Sequence, residues 1–220
     1  RGYALHAPMT LQPIRSIVVG TDFSPPAATA LGWASAIARA HGASLTLVHA
    51  YVKQDHELSP EETRAALAGL AAVETEHGLQ VRVEMRDGAA ATVVSAVAKE
   101  CGADLLVIGS RGRNPISRVF LGSVADATLK QVSLPTLVVH PGDAVRAPRT
   151  TNLLVGTDFS PESNRAAEFA MRLAAPREQA TVGLLVATLL PGPFTGLEMP
   201  AVPMVEPGET EAPAREALAR

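Results

Sequence analysis

Three glycines and a serine in one stretch have the spacing of an anion-binding loop. Between Gly109 and Ser123 the chain reads GSRGRNPISRVFLGS, that is Gly109-x2-Gly112-x9-Gly122-Ser123. Glycine lets a ligand touch the main chain and bends the backbone without a Cβ clash. The Gly122-Ser123 pair falls where a helical pattern starts, and Ser123 is expected to cap that helix. First-turn N–H groups carry partial positive charge, so a phosphate placed there receives several hydrogen bonds at once. With glycine at about 7% of residues, three glycines and a Ser/Thr at one fixed spacing arise by chance in roughly one chain per hundred of this length. The purely structural alternative is that the glycines serve turns and Ser123 serves only its helix. Two better-known phosphate loops are excluded. There is no G-x-x-x-x-G-K-[ST], and the first strand-to-helix turn, VGTDFSP, has one glycine where the dinucleotide fingerprint needs three.

That turn is itself a motif. VGTDFSP stands at Val19–Pro25 and recurs letter for letter at Val155–Pro161. Each copy follows an apolar run and precedes an Ala-rich helical pattern. Repetition at so long an offset means two copies of a domain, not a solenoid of short units. Asp22 in the first copy stands where an acid complements a helix N-terminus. The second copy carries Asp158, but no matching glycine loop follows it, so only half of another site is expected.

The elements that must position these residues alternate between strand and helix. The patterns predict strands at Ser16–Gly20, Ser44–Ala50, Gln80–Arg86, Asp104–Gly109 and Thr136–His140. Helices are expected over Pro25–His41, Pro60–His77, Ala90–Cys101 and Ser123–Val132. Gly42, Gly78 and Gly102 follow three of the helices, where a left-handed residue is wanted. Such alternation implies parallel strands joined by right-handed crossovers. With 47% apolar residues but one Trp, two Tyr and five Phe, the core must be built from Ala, Val, Leu and Ile. The expected organisation is a tail over 1–13, a complete domain over 14–143, a linker over 144–151 and a partial second domain over 152–220. Proline is too frequent in residues 189–213 for a helix or central strand, and a helix is expected to resume at Ala214–Arg220.

The bulk numbers exclude several classes. A net charge of −3 gives no footprint for nucleic acid and no polybasic membrane patch. No apolar run approaches the roughly 20 residues that cross a bilayer. A single cysteine, Cys101, rules out an internal disulfide and suits a reducing compartment, so a cytoplasmic setting is expected. Residues 1–8 have no signal-peptide core, and Met9 reads as a natural start. His41, His49, His56, His77 and His140 include no pair at zinc-binding helical spacing, so no metal site is assigned. His49 and His140 simply end strands. No catalytic residue is assigned either.

With these residues in place a resemblance can be stated. VGTDFS after the first strand, LVHA closing the second and IGSRGRNPISRVFLGSVAD after the fourth resemble the ATP-binding branch of the universal stress protein family. That family's G-x2-G-x9-G-[ST] pattern is met in full. The resemblance covers about residues 14–141 and then 152–190. It implies an α/β fold, Rossmann-like and of the adenine nucleotide alpha hydrolase-like type: a doubly wound five-stranded parallel sheet in the order 3-2-1-4-5, with a partial second copy. Ligands of such sheets lie where the winding reverses, here between strands 1 and 4.

The resemblance also implies roles. Gly20, Thr21 and Asp22 face the adenosine end, the backbone of Ala50 reads the adenine edge, and Gly109 approaches the ribose. Gly112, Gly122, Ser123 and Val124 give main-chain N–H groups to the phosphates, and Arg111 neutralises charge. The implied cofactor is ATP, with AMP or ADP as alternatives and Mg²⁺ carried on the phosphates. The expected function is an ATP-binding regulatory module of the stress response, with a homo-oligomer formed through Thr136–His140. Two alternatives stay open. One is a slow ATPase or self-phosphorylating enzyme using Ser110, Ser117 or Ser123, and the other is a dimeric scaffold that binds no nucleotide.

Overall fold

Apolar runs too short to be helices become the strands of one parallel sheet. The structure, a computed structural model, describes residues 11–52, 58–110, 121–140, 152–176 and 180–186. In chain order the first copy forms β1 (Ser16–Gly20), α1 (Pro25–His41), β2 (Ser44–Tyr51), α2 (Pro60–Glu76), β3 (Val81–Asp87), α3 (Ala90–Glu100), β4 (Leu105–Gly109), α4 (Ser123–Gln131) and β5 (Thr136–Val139). All strands pair in parallel, in the order β3-β2-β1-β4-β5. This is the doubly wound arrangement expected from the sequence, and the element ends agree to within a residue or so.

Local chemistry sets the helix ends. Ser24 and Ser59 stand before Pro25 and Pro60, so each helix opens on a serine cap followed by a ring already set at helical φ. Ser59 and Glu62 complete a reciprocal capping box. Gly42, Gly78 and Gly102 take φ of 66°, 85° and 56° just past α1, α2 and α3, a conformation that glycine adopts without a Cβ penalty.

Alternate strand residues fill two apolar layers. Ile17, Val19, Leu45, Leu47, Leu105 and Val107 pack with α1 and with Leu67 of α2 on one face. Val18, Val48, Leu106 and Ile108 pack with Val93, Val94 and Val97 of α3 and Ala125 of α4 on the other. Each such side chain, fully buried, contributes about 1.5–3 kcal/mol, so the sheet is fixed from both sides.

The second copy contributes β6 (Asn152–Thr157), α5 (Pro161–Ala174) and β7 (Thr181–Val186), with β6 and β7 paired in parallel. Val155 is buried, but on the opposite face Leu154 is 70% and Leu185 53% exposed. Their counterparts in the first copy, Val18 and Val48, are 0% exposed because α3 covers them. Residues 1–10 of the expected tail over 1–13, the linker at 144–151 and the proline-rich stretch with its following helix, which lie within 187–220, fall outside the described residues.

Helix α5 seats against the first copy. Phe169 and Leu173 pack on the α1-side layer. Arg172 donates through Nη2 to Asp104 Oδ1 at 2.9 Å and through Nε to the Gln12 carbonyl at 2.7 Å. Asp104 is the centre of this contact, because its Oδ2 also accepts the N–H groups of Arg15 at 2.8 Å and Ser16 at 3.2 Å. Backbone donors that lose a charged acceptor cost more than a partly exposed ion pair. Asp104→Ala is therefore expected to lower stability in urea by about 2–3 kcal/mol, and Arg172→Ala by no more than about 1 kcal/mol. The reverse order would contradict this assignment.

Candidate functional site

The sheet divides at its carboxyl end. β1 stays with β2 through Gly20 and Val48, and the Thr21 N–H continues the ladder to the Val48 carbonyl at 2.9 Å. β4 stays with β5 through Gly109 and Val139, and the Ser110 N–H donates to the Val139 carbonyl at 2.7 Å. Between β1 and β4, however, pairing stops at Val19 and Val107. The chain leaves β1 for α1 on one face of the sheet and leaves β4 for α4 on the other, so the two half-sheets part at this point.

The two described ends of the glycine stretch meet beyond β4. The Gly122 N–H donates to the Ser110 carbonyl at 2.8 Å, which brings Gly109 and Gly122 together although twelve residues lie between them. Gly122 is the N-cap of α4, with extended φ −67° and ψ 154°. This corrects the expectation that Ser123 caps the helix: the residue that takes the cap conformation is Gly122, and Ser123 is already the first helical residue. A glycine cap brings no side chain, so the first-turn amides of Ser123, Val124 and Ala125 have no capping oxygen from it. The first bond inside the helix runs from the Asp126 N–H to the Gly122 carbonyl at 2.9 Å. Ser123 and Val124 are both exposed.

The other expected residues are distributed as follows. Gly20 ends β1 and Ala50 lies near the end of β2, beside Arg86 of β3 and against the α3-side layer. A methyl group on Gly20 would meet Val94 and Ile108 at 3.4 and 3.5 Å, ordinary contacts, so packing alone does not demand glycine there. Arg111, Gly112 and Ser117 lie outside the described residues. Ser110 is fully buried, which leaves its hydroxyl no access to a phosphate donor in this arrangement.

The end of β1 leads into the turn between β1 and α1. Thr21 Oγ1 accepts the Phe23 N–H at 3.1 Å. Asp22 Oδ1 accepts the Ser24 N–H at 3.0 Å and also the Ser24 hydroxyl. Asp22 thus shapes its own turn as well as standing at the lip. Phe23 sits at φ 62°, a left-handed conformation that is strained for an aromatic residue. Its ring lies 4.9 Å from that of His49, tilted by 42°. His49 is buried, and its Nδ1 lies 2.8 Å from the Thr21 carbonyl. The sequence reading assigned nothing to Phe23 or His49. The available clue was strand alternation, which puts His49 on the same face as Leu45 and Leu47, just beneath the turn.

The second copy rebuilds this turn from the same letters. Phe159 also takes φ 62°, its N–H donates to Thr157 Oγ1 at 3.0 Å, and the Ser160 N–H donates to Asp158 Oδ1 at 3.0 Å. No glycine loop faces it among the described residues.

The universal stress protein family model matches residues 13–140, the whole of the five-stranded unit. The chain belongs to the universal stress protein family. A universal stress protein of Mycolicibacterium smegmatis is 31% identical over 187 residues, covering 77% of this chain and 63% of the relative. The chain thus spans less than two thirds of that relative's length. The solved structure of MJ0577 aligns with a TM-score of 0.55 and 23% identity, over 60% of this chain and 100% of its own, and has the same fold. A universal stress protein solved in complex with cAMP aligns at 29% identity with a TM-score of 0.49, over 59% of this chain and 98% of its own. Among the described residues no group of histidine, cysteine and acidic side chains is placed to hold a metal ion, and no helix is long and apolar enough to cross a membrane.

The second turn gives this universal stress protein a titration marker. The Ser160 hydroxyl, then its N–H, then the Ser163 hydroxyl hold the Asp158 carboxyl down at about 2. Its unfolded value is about 3.9, so the folded state binds its proton less readily. The contribution to stability is complete above the unfolded value and disappears as pH falls through about 2. Carboxylate-detected NMR should give Asp158 a midpoint near 2, rising in Ser160→Ala. A midpoint at the unfolded value in the intact protein would contradict the hydrogen-bonded turn.

Proposed function

We propose that this universal stress protein is a nucleotide-dependent regulatory module that binds ATP, or another adenine nucleotide, in the crevice between β1 and β4. The observation that carries the reading is the pairing of two features across one opening. On one lip is a helix whose cap is a glycine drawn back to β4 by the 2.8 Å bond from Gly122 to Ser110. On the other is the acidic turn at Thr21–Ser24, which meets the strand end at Gly20. Uncapped amides favour an anion, and a carboxylate favours the hydroxyl or amino donors of a nucleoside.

In this reading the phosphates take N–H bonds from Gly112, Gly122, Ser123 and Val124, with Arg111 offsetting their charge. Gly109 approaches the ribose, Asp22 and the Gly20-Thr21 backbone meet the adenosine, and the Ala50 backbone reads the adenine edge. Magnesium arrives on the phosphates, not on protein ligands. A cytoplasmic setting accords with the single cysteine. We further propose that residues 152–220 begin a second domain of the same kind.

Calorimetry tests the nucleotide reading. The intact protein should bind Mg-ATP saturably, and Gly122→Val should weaken binding tenfold or more, about 1.4 kcal/mol or above, while the sheet stays folded by circular dichroism. Asp22→Ala should weaken it as well. Absence of any signal from the intact protein would refute the reading. The same account has β5 at an open sheet edge, where exposed ladder groups seek a partner. Self-association through Thr136–His140 should appear as a dimer in light scattering at micromolar concentration; a monomer would contradict that part.

A further inference from the structure

The two copies of Thr-Asp-Phe-Ser differ in what holds them. Strand register pairs Gly20 with Val48 in the first copy and Gly156 with Leu185 in the second. The next residues, His49 and Val186, therefore occupy equivalent places beside their turns. His49 is 1% exposed and its Nδ1 lies 2.8 Å from the Thr21 carbonyl. A carbonyl oxygen only accepts, so Nδ1 carries the proton in this bond. The Val186 side chain has no donor to offer. On the helix side the situation reverses: the Ser163 hydroxyl lies 2.9 Å from Thr157 Oγ1, and the first copy has Ala27 at that position. The first turn is held from its neighbouring strand and the second from its own helix.

The strand-side bond has a geometric consequence at the crevice. The Thr21 N–H is already committed to the Val48 carbonyl at 2.9 Å. When the Thr21 carbonyl is committed to His49 too, the peptide joining Thr21 and Asp22 has one orientation. Asp22 then leaves β1 in one direction, and its own bonds to Ser24 complete the turn. The Phe23 ring beside the imidazole closes the space above it. The identical turn in the second copy shows that the left-handed phenylalanine does not require this histidine.

We propose that His49 is a positioning residue of the ligand site: its Nδ1–H fixes the Thr21-Asp22 peptide so that the turn meets the nucleoside, a function the second copy lacks. The proposal rests on the nucleotide reading above. It predicts that affinity follows the donor at Nδ1, not the presence of an imidazole or of general polarity. Asparagine places an amide N–H close to the Nδ1 position, whereas glutamine carries its donor farther out.

The experiment uses the full chain and Mg-ATP, with affinity by calorimetry and thermal midpoint measured in parallel. His49→Asn should bind within about threefold of the original, while His49→Gln and His49→Val should bind tenfold or more weakly. A ¹H–¹⁵N spectrum of the ligand-free protein should show His49 protonated at Nδ1. Original affinity in His49→Val, equal losses in the asparagine and glutamine variants, or protonation at Nε2 alone would each overturn the proposal. Should His49→Val fail to fold, the contrast between the two amide variants decides. Failure of the original chain to bind Mg-ATP removes the nucleotide reading and this inference with it; normal binding that ignores residue 49 removes only the inference.

Discussion

The parting of β1 from β4 beyond Val19 and Val107 is the constraint from which the rest follows. Two parallel strands whose connections leave towards opposite faces cannot stay paired past the point where their chains turn away. Each instead keeps its other neighbour, β1 with β2 and β4 with β5, and a gap opens between strand ends whose sideways-pointing backbone groups have lost a ladder partner on that side. Whatever closes this gap must satisfy them. The chain does so with an acidic turn on one lip and a glycine-capped helix on the other.

Much of this was legible because it depends on local chemistry. Strand and helix periods and the glycines after α1, α2 and α3 identified every element of the five-stranded unit, and the family resemblance implied their order. Ser123 was misread for an instructive reason. Serine is the better capping residue by type, but the cap is whichever residue keeps extended angles at the turn, and the bond from Gly122 to Ser110 puts Gly122 there. His49 was illegible because its partner is a backbone carbonyl 28 residues away. The docking of α5 was illegible as well. An amphipathic helix announces that it has an apolar face, not which core Phe169 and Leu173 will join.

Comparing the two repeats separates what the letters decide from what the surroundings decide. Both TDFS turns reach the same left-handed phenylalanine and the same aspartate-to-serine bond, with a different outside support in each copy. Their settings diverge completely. One turn ends a strand of a sheet covered on both faces, next to the strand that leads into the glycine stretch. The other ends a two-stranded sheet whose outer leucines face solvent. A motif therefore locates a turn, and only its environment makes the turn a site.

The central claim is that the first-turn amides of α4 hold the anionic end of a nucleotide. Amide-resolved NMR during titration with Mg-ATP addresses it most directly. The account predicts large, saturable downfield shifts at Ser123, Val124 and Ala125, with smaller changes at Thr21 and Asp22 and none at Thr157 and Asp158. Shifts confined to other helix starts, or none at α4 at saturating nucleotide, would contradict it.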